Sequence, residues 1–544
     1  MALSCQPNSR RTKSFVADLY LPVECWECII TFLKHENRSL KSLSVVCKQF
    51  HTITNHLRFS LTIFDQTIPF LHLLFRRFTN LTSLNLSRLD SNFYKLNNIL
   101  REISCFPLKL TSLNLSNQHS IPENGLRTFS KKITTLTTLI CSNMEYIYST
   151  DIFLISDCFP LLEVLDLSNP DNYEDDEKVE HLSFTFFKLR KVNLSGLYYF
   201  DKKLLFSLFK NCKLLEEAIM LTCYGITFDD VASALRERPT LKSLSFFNTY
   251  GKADEGGDES YITSQFIASL VSLKYLTCLD LLSSFISDEL LSSIANEGLP
   301  LMRLVLQDCT GYSYSGIFYL LSKCQHCQHL DLQNADFLTD KHVAELSLFL
   351  GDLVYINLSR CSLLTISAFF ALIKSCPSLS DIKMECTSIG KKSLESSKSL
   401  VDFTSRPQLK YLRLARNPLL TDENIIMFAS IFPNLQLLDL SGCCGIFEEG
   451  IAQVLSLCCN IRHLNLSCCS EVKLLEMNFE VPKLEVLNLS YTNIDDQTLY
   501  VISKSCCGLL QLLLKDCPDV TEKGVEHVVK NCMQLKKDQV SWLS

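Results

Sequence analysis

The 544-residue sequence predicts an α/β chain: a small three-helix N-terminal head, then one long solenoid, a curved horseshoe with parallel strands on the concave face and helices on the convex face. Three observations predict it. A six-residue pattern, L-x-x-L-x-L, recurs at near-constant spacing. Helix-start signals fill the gaps between its copies. The residues ahead of the first copy follow a different, wholly helical pattern.

The pattern begins at Leu81, Leu110, Leu136, Leu162, Leu189, Leu215, Leu241, Leu276, Leu301, Cys327, Leu353, Leu379, Leu409, Leu435, Ile461, Leu484 and Leu509, with conservative replacements among the apolar positions. These 17 copies span (509 − 81)/16, a mean period of 26.75 residues, and 12 of the 16 intervals fall between 25 and 27. So regular a period marks stacked supersecondary units, none of which can bury its own apolar face. The three apolar positions turn inward from a short strand, and the residues between them face outward. After each strand the chain returns through a helix, with Thr421, Asp422 and Thr521 as candidate N-caps ahead of residues at helical spacing.

The 26 cysteines follow the same period. One set sits three residues after the last strand leucine, at Cys309, Cys361, Cys443, Cys469 and Cys517; another closes the helices, at Cys158, Cys212, Cys324, Cys376, Cys458 and Cys532. Both positions lie in interior turns, where a free thiol acts as a small buried hydrophobe. The arrangement resembles the cysteine-containing class of leucine-rich repeats, as in Cys376-x-x-Leu379, Cys532-x-x-Leu535 and the stretch from Leu509 to Val525. Cys25-x-x-Cys28 and Cys324-x-x-Cys327 lack the second pair that a zinc site needs, so no metal is expected.

In the head, Leu21-Pro22 starts a helix naturally, since proline fits the first turn. Trp26, Ile29, Ile30 and Leu33 recur at helical spacing, Leu40, Leu43, Val46, Cys47 and Phe50 mark a second helix, and Ile53 and Leu57 a third. The run Leu21-Pro22-Val23-Glu24, the aliphatic helix to Leu33, Leu40 to Leu43, and Val46-Cys47-Lys48-Gln49-Phe50 resemble an F-box, with Trp26 and Phe50 departing from the usual residues without loss of apolar bulk. Followed by repeats to the C-terminus, the whole is similar to plant F-box/leucine-rich-repeat proteins. The expected organisation is a flexible segment over 1–18, an F-box over 19–60, and a solenoid of about 17–18 repeats over 61–544.

That resemblance implies the substrate-recognition subunit of a Skp-cullin-F-box ubiquitin ligase. Leu21, Pro22, Glu24, Trp26, Ile29, Ile30, Leu33, Leu43, Val46 and Phe50 would contact a Skp-type adaptor, and through it a cullin scaffold. The alternative is a leucine-rich-repeat interaction scaffold with no ligase role, in which the head only covers the end of the solenoid.

A formal net charge of −7 argues against a general nucleic-acid or anionic-membrane binder and favours a protein partner. No apolar run long enough to span a bilayer occurs, and the N-terminal Arg10, Arg11 and Lys13 precede no apolar signal segment, so the expected location is cytoplasmic, nuclear or both. The 11 histidines are scattered and no H-E-x-x-H, G-x-S-x-G or Gly-rich phosphate loop is present, which predicts no catalytic residues and no cofactor.

A target protein would use the concave face or rim loops. The 35-residue interval after Leu241 offers Phe247, Asn248, Tyr250 and Lys252 as a target-binding loop; a 30-residue interval with Lys391 and Lys392 and the acidic stretch 171–177 are further irregularities. Between the strand leucines Lys383, Arg413 and Arg462 mix with Asp280, Asp331 and Asp439, so no strongly basic ligand pocket is expected.

Overall fold

The computed structural model describes residues 21–32, 37–90, 93–174, 186–197, 200–223, 225–247, 262–391, 406–475, 477, 479–535 and 540–541. The chain divides into two compact units, Met1–Glu145 and Tyr146–Ser544.

The first unit opens with three helices, α1 Val23–Thr31, α2 Asn37–Leu43 and α3 Lys48–His56. Their core is small: Ile30, Leu40 and Ile53 are buried, with Trp26, Leu43, Phe50 and Leu57 packed against them. Trp26 and Phe50 meet edge to face at 4.8 Å between ring centroids, the geometry aromatic quadrupoles favour. Cys47 caps α3, its Sγ accepting the Phe50 N–H at 3.4 Å. Parallel strands follow at Ser60–Phe64, Ser83–Arg88, Ser112–Asn114 and Thr138–Ile140, with Leu61, Leu84, Leu113 and Leu139 aligned rung to rung. The first of these strands precedes the first sequence copy; it supplies only Leu61 and the fully buried Ile63 to the interior, too little pattern to recognise beforehand.

The second unit carries its own ladder of parallel pairs, from Val164–Asp166 to Val540–Ser541. Its register is constant: Leu244, Leu279, Leu304, Leu330, Ile356, Ile382, Leu412, Leu438, Leu464, Leu487 and Leu512 oppose one another in sequence. Across the two units each of the 17 copies carries a strand that starts two residues after its first apolar position. The leucines are buried, each contributing about 1.5–3 kcal/mol by leaving water.

Three contacts recur, the first two between neighbouring repeats and the third within each repeat. In the first, the Asp that opens a helix accepts from the N-cap residue of the following helix. Asp288 takes Ser313 N and Oγ at 2.8 and 2.6 Å, Asp340 takes Thr365 N and Oγ1 at 2.8 and 2.5 Å, and Asp496 takes Thr521 N and Oγ1 at 2.8 and 2.5 Å. Asp422, expected as an N-cap, does this too: Thr421 caps that helix while Asp422 accepts Phe447 N at 2.9 Å. At three of these four contacts a glycine in the first turn of the following helix leaves room for the carboxylate, and a Cβ at Gly316, Gly450 or Gly524 would collide with Asp288, Asp422 or Asp496; after Asp340 the position is Ala368.

The second contact uses the turn cysteines. Cys309, Cys443, Cys469 and Cys517 donate Sγ–H to the carbonyl just past the strand of the preceding repeat, at Leu281, Leu414, Leu440 and Leu489, over 2.7 to 3.2 Å. Burial pushes the thiols of Cys309, Cys361 and Cys443 up to about 12, so they stay protonated donors. Where the chain has Asn417 instead, its fully buried amide donates to Met384 O and Leu414 O at 2.8 and 2.9 Å. Every described cysteine is a free thiol.

The third is the strand exit, where an Asn or Asp side chain accepts the N–H two residues on. Asn serves at 85, 114, 193, 357, 465 and 488, and Asp at 166, 280, 331 and 439. The chain then turns through a left-handed residue, such as Asn117, Asn143, Asn169, Asn334 or Asp516, a conformation that Asn and Asp tolerate best after glycine.

Candidate functional site

Helix α1 presents three stripes set by helical geometry. Trp26 and Ile30 point into the head core. Glu24 and Glu27 lie on a polar side, and Pro22, Cys25, Cys28, Ile29 and Phe32 form the remaining stripe, exposed apart from the head's own packing. Ile29 is 47% exposed and Phe32 87%, whereas Ile30 is 2% exposed. The turn joining α2 to α3 adds Val45 and Val46, at 83% and 63%. Leu21 and Val23 are exposed as well. A three-helix unit so small leaves this much apolar side chain exposed.

This arrangement divides the expected contact residues. Leu21, Pro22, Glu24, Ile29 and Val46 are exposed; Trp26, Leu43 and Phe50 are partly buried against the core. Ile30, also in the expected contact set, is buried with Leu40 and Ile53 in the head core. Of Trp26, Ile29, Ile30 and Leu33, which recur at helical spacing, Ile29 is exposed and Ile30 buried, and Leu33 lies outside the described residues. Val23, Phe32 and Val45 were not anticipated. Their signal was present as apolar residues at positions the core pattern does not use.

On the second unit the open strand face has a distinct chemistry. Between Lys191 and Lys242 charges are paired in a ladder: Lys191 with Glu217 at 2.8 Å, and Glu216 with both Arg190 and Lys242 at 3.1 and 2.9 Å. Further along, Arg413 holds Asp381 at 2.6 Å, Lys383 lies 3.6 Å from Glu385, and Arg462 is 2.7 Å from Glu485. The cations noted in the sequence are therefore already neutralised. Between these zones His329 stacks on Tyr355 with centroids 4.0 Å apart and planes 8° apart. Burial, with Arg303 nearby, pulls His329 down to about 4, so the ring is neutral at physiological pH. Burial likewise raises Asp280, Asp331 and Asp381 above the usual carboxylate range.

Of the expected target loop, Phe247 ends the strand Ser243–Phe247; Asn248, Tyr250 and Lys252 lie outside the described residues, as do Lys392 and residues 175–177. Among the described residues no group of three or more His, Cys, Asp or Glu is arranged to hold a metal ion, and no helix is long and apolar enough to cross a membrane. Cys324 and Cys327 are taken up by carbonyls, Leu299 O at 3.5 Å and His329 O at 3.4 Å.

Comparison with known proteins gives modest similarity. No family model matches the chain. GRR1-like protein 1 of Arabidopsis thaliana is 26% identical over 341 residues, 58% of this chain and 55% of that protein. Antagonist of mitotic exit network protein 1 of Candida glabrata is 29% identical over 126 residues, 22% of this chain and 24% of that protein. The match thus spans about half or less of the length of these relatives. Among solved structures, the yeast Rad7 and Elc1 complex is similar at 14% identity and a TM-score of 0.41, covering 93% of this chain and 96% of that one. The TLR13–ssRNA13 complex is similar at 17% identity and a TM-score of 0.42, covering 89% and 64%.

Proposed function

We propose that this leucine-rich-repeat chain is the substrate receptor of a Skp-cullin-F-box ubiquitin ligase, working in the cytoplasm or nucleus and performing no chemistry itself. The observation that carries the reading is the exposed apolar surface of the head. Leu21, Pro22, Val23, Ile29, Phe32, Val45 and Val46 are left uncovered by a core that needs only Ile30, Leu40, Ile53 and their neighbours. A cap whose role was only to shield the end of a solenoid would not need a second apolar face. In this reading the face buries against a Skp-type adaptor, the adaptor joins a cullin, and the repeats hold a target protein. Ubiquitin transfer then gains from proximity supplied by the assembly. The similarity to GRR1-like protein 1 supports the same assignment.

The test is co-purification of the intact chain with a plant Skp-type adaptor, beside a Leu21→Ala, Pro22→Ala double variant whose folding is checked by circular dichroism. Retention by the intact chain and loss by the folded variant is expected. An intact, folded chain that retains no adaptor would return the head to a cap and make the chain a scaffold.

A further inference from the structure

The two units differ in charge as well as in build. Residues 1–145 hold 17 Lys and Arg against 9 Asp and Glu, a net +8, while residues 146–544 hold 35 against 50, a net −15. In the first unit the strands starting at Ser60, Ser83, Ser112 and Thr138 are parallel and in register, so the connections that enter them line up along one edge. That edge collects the cations. Arg58 follows α3, Arg76 and Arg77 close the helix Leu71–Arg77, Lys109 precedes the strand Ser112–Asn114, and Lys131 and Lys132 follow the helix Glu123–Ser130. Arg58 is half-buried and the other five are exposed. Arg101 and Glu102, side by side at the end of the helix Phe93–Ile103, cancel.

Two observations set this edge apart. The first is that its charge is unanswered. Among the described residues none of the six is in an ion pair, and the unit's carboxylates are engaged elsewhere, Asp65 with Lys95, Glu123 with Arg127 and Glu145 with His119. At corresponding connections of the second unit cations are neutralised, Arg190 and Lys242 by Glu216 at 3.1 and 2.9 Å and Lys274 by Glu297 at 2.5 Å. A helix end offsets only about half a unit charge, so the doubled cations Arg76–Arg77 and Lys131–Lys132 exceed what the helix dipoles reward. The second observation is a pair of like charges held together. Arg58 and Arg77 place their guanidinium carbons 5.2 and 5.0 Å from the centroid of one ring, Phe78, and Asn55 Oδ1 fixes Arg77 by accepting from its Nε at 2.9 Å. Burial and then the neighbouring Arg77 lower the Arg58 guanidinium from its usual range. Two cations so placed repel each other, and an anionic partner relieves that repulsion.

We propose that this edge of the first unit, from Arg58 to Lys132, docks an acidic segment of the target protein, rich in Asp and Glu and laid in extended form across the helix ends. The inference rests on the repeats being the target-binding part of the receptor. Arg58 and Arg77 take carboxylates at one end of the segment, and Lys131 and Lys132 take them at the other. Helices packed about 8–10 Å apart spread the four connections over about 25–30 Å, which about nine extended residues cover at about 3.3 Å each. The net −15 of the remaining residues opposes a long polyanion such as nucleic acid, whereas a short acidic segment needs only this edge.

The experiment is fluorescence anisotropy on the full chain with three labelled probes: a peptide of alternating glutamate and serine, one of alternating arginine and serine, and a single-stranded DNA carrying the same charge as the glutamate peptide. The glutamate peptide is expected to bind best, and less tightly as salt is raised. A Lys131→Gln, Lys132→Gln variant, altered only at exposed side chains, should weaken it about tenfold. An Arg58→Gln, Arg77→Gln variant should weaken it at least as much, with Arg58→Lys, Arg77→Lys recovering part of the loss, and folding of each is checked by circular dichroism. Lys274→Gln, in the second unit, should leave binding unchanged. Preference for the DNA or the arginine peptide would overturn the proposal. So would glutamate-peptide binding indifferent to both Gln variants, or no binding of that peptide at all. Adaptor retention is scored on the same preparations: peptide failure with the adaptor retained removes only this inference, and loss of the adaptor removes the reading beneath it.

Discussion

The head and the repeats solve the burial problem in opposite ways. Each repeat covers its apolar residues with the next rung, so its open strand face is left to paired charges, Asn and Asp. The head has no next rung. Its core closes on Ile30, Leu40 and Ile53, and the surplus, Ile29, Phe32, Val45 and Val46, stays on the outside. The same class of side chain is thus buried in one region and exposed in the other, and position relative to a neighbouring unit decides which.

The largest effect expected from breaking this contrast lies inside the ladder. Leu330→Ala removes a rung leucine buried between Leu304 and Ile356 and should cost about 2–5 kcal/mol in urea denaturation. A value near zero would mean that the rungs do not support one another. Slightly smaller is the loss at Asn417→Ala, which strands the carbonyls of Met384 and Leu414; about 1–3 kcal/mol is expected, with Asn417→Cys recovering part of it.

The cysteines give a pH test. Folded thiols at Cys309, Cys361 and Cys443 titrate near 12, and unfolded ones near 8.5. The folded state therefore holds its protons longer, so this contribution is complete below about pH 8.5 and is lost as pH rises toward 12. Thermal melts should show Tm falling above pH 8.5, and a Cys309→Ala, Cys361→Ala, Cys443→Ala variant should fall less steeply from its lower starting point. An equal slope would remove the thiols from the account.

In the head the contrast sharpens to adjacent residues. Ile30→Ser should melt the three helices, seen as lost helical dichroism, while Phe32→Ser should change stability by no more than about 0.5 kcal/mol. Phe32→Ser should nonetheless weaken adaptor binding about tenfold, roughly 1.4 kcal/mol by calorimetry. Equal stability losses in both variants would place Phe32 in the core.

How much of this was legible follows from period. A 26-residue repeat names its own strands, so every copy from Leu81 to Leu509 could be located from leucines alone. The strand at Ser60–Phe64 was not, having two inward residues and no preceding copy to set its phase. Ile29 and Ile30 both satisfy helical spacing from Trp26, and only the placement of Leu40 and Ile53 shows which one turns inward. Asp422 looked like a cap because Asp is a good one; its use by the following repeat depends on a neighbour 25 residues away. The Asn and Asp of the strand exits were visible at a fixed offset from each strand leucine, but the amide they bind is a backbone group, which carries no side-chain signal.

The central claim is that the head docks an adaptor through its surplus apolar surface while the repeats stay free for a target. Hydrogen exchange of the intact chain with and without a Skp-type adaptor tests it most directly. The account predicts slower exchange confined to residues 21–32 and 43–50, with the strands between Val164 and Leu513 unchanged. Protection on those strands, or a head that exchanges at the same rate in both states, would contradict it.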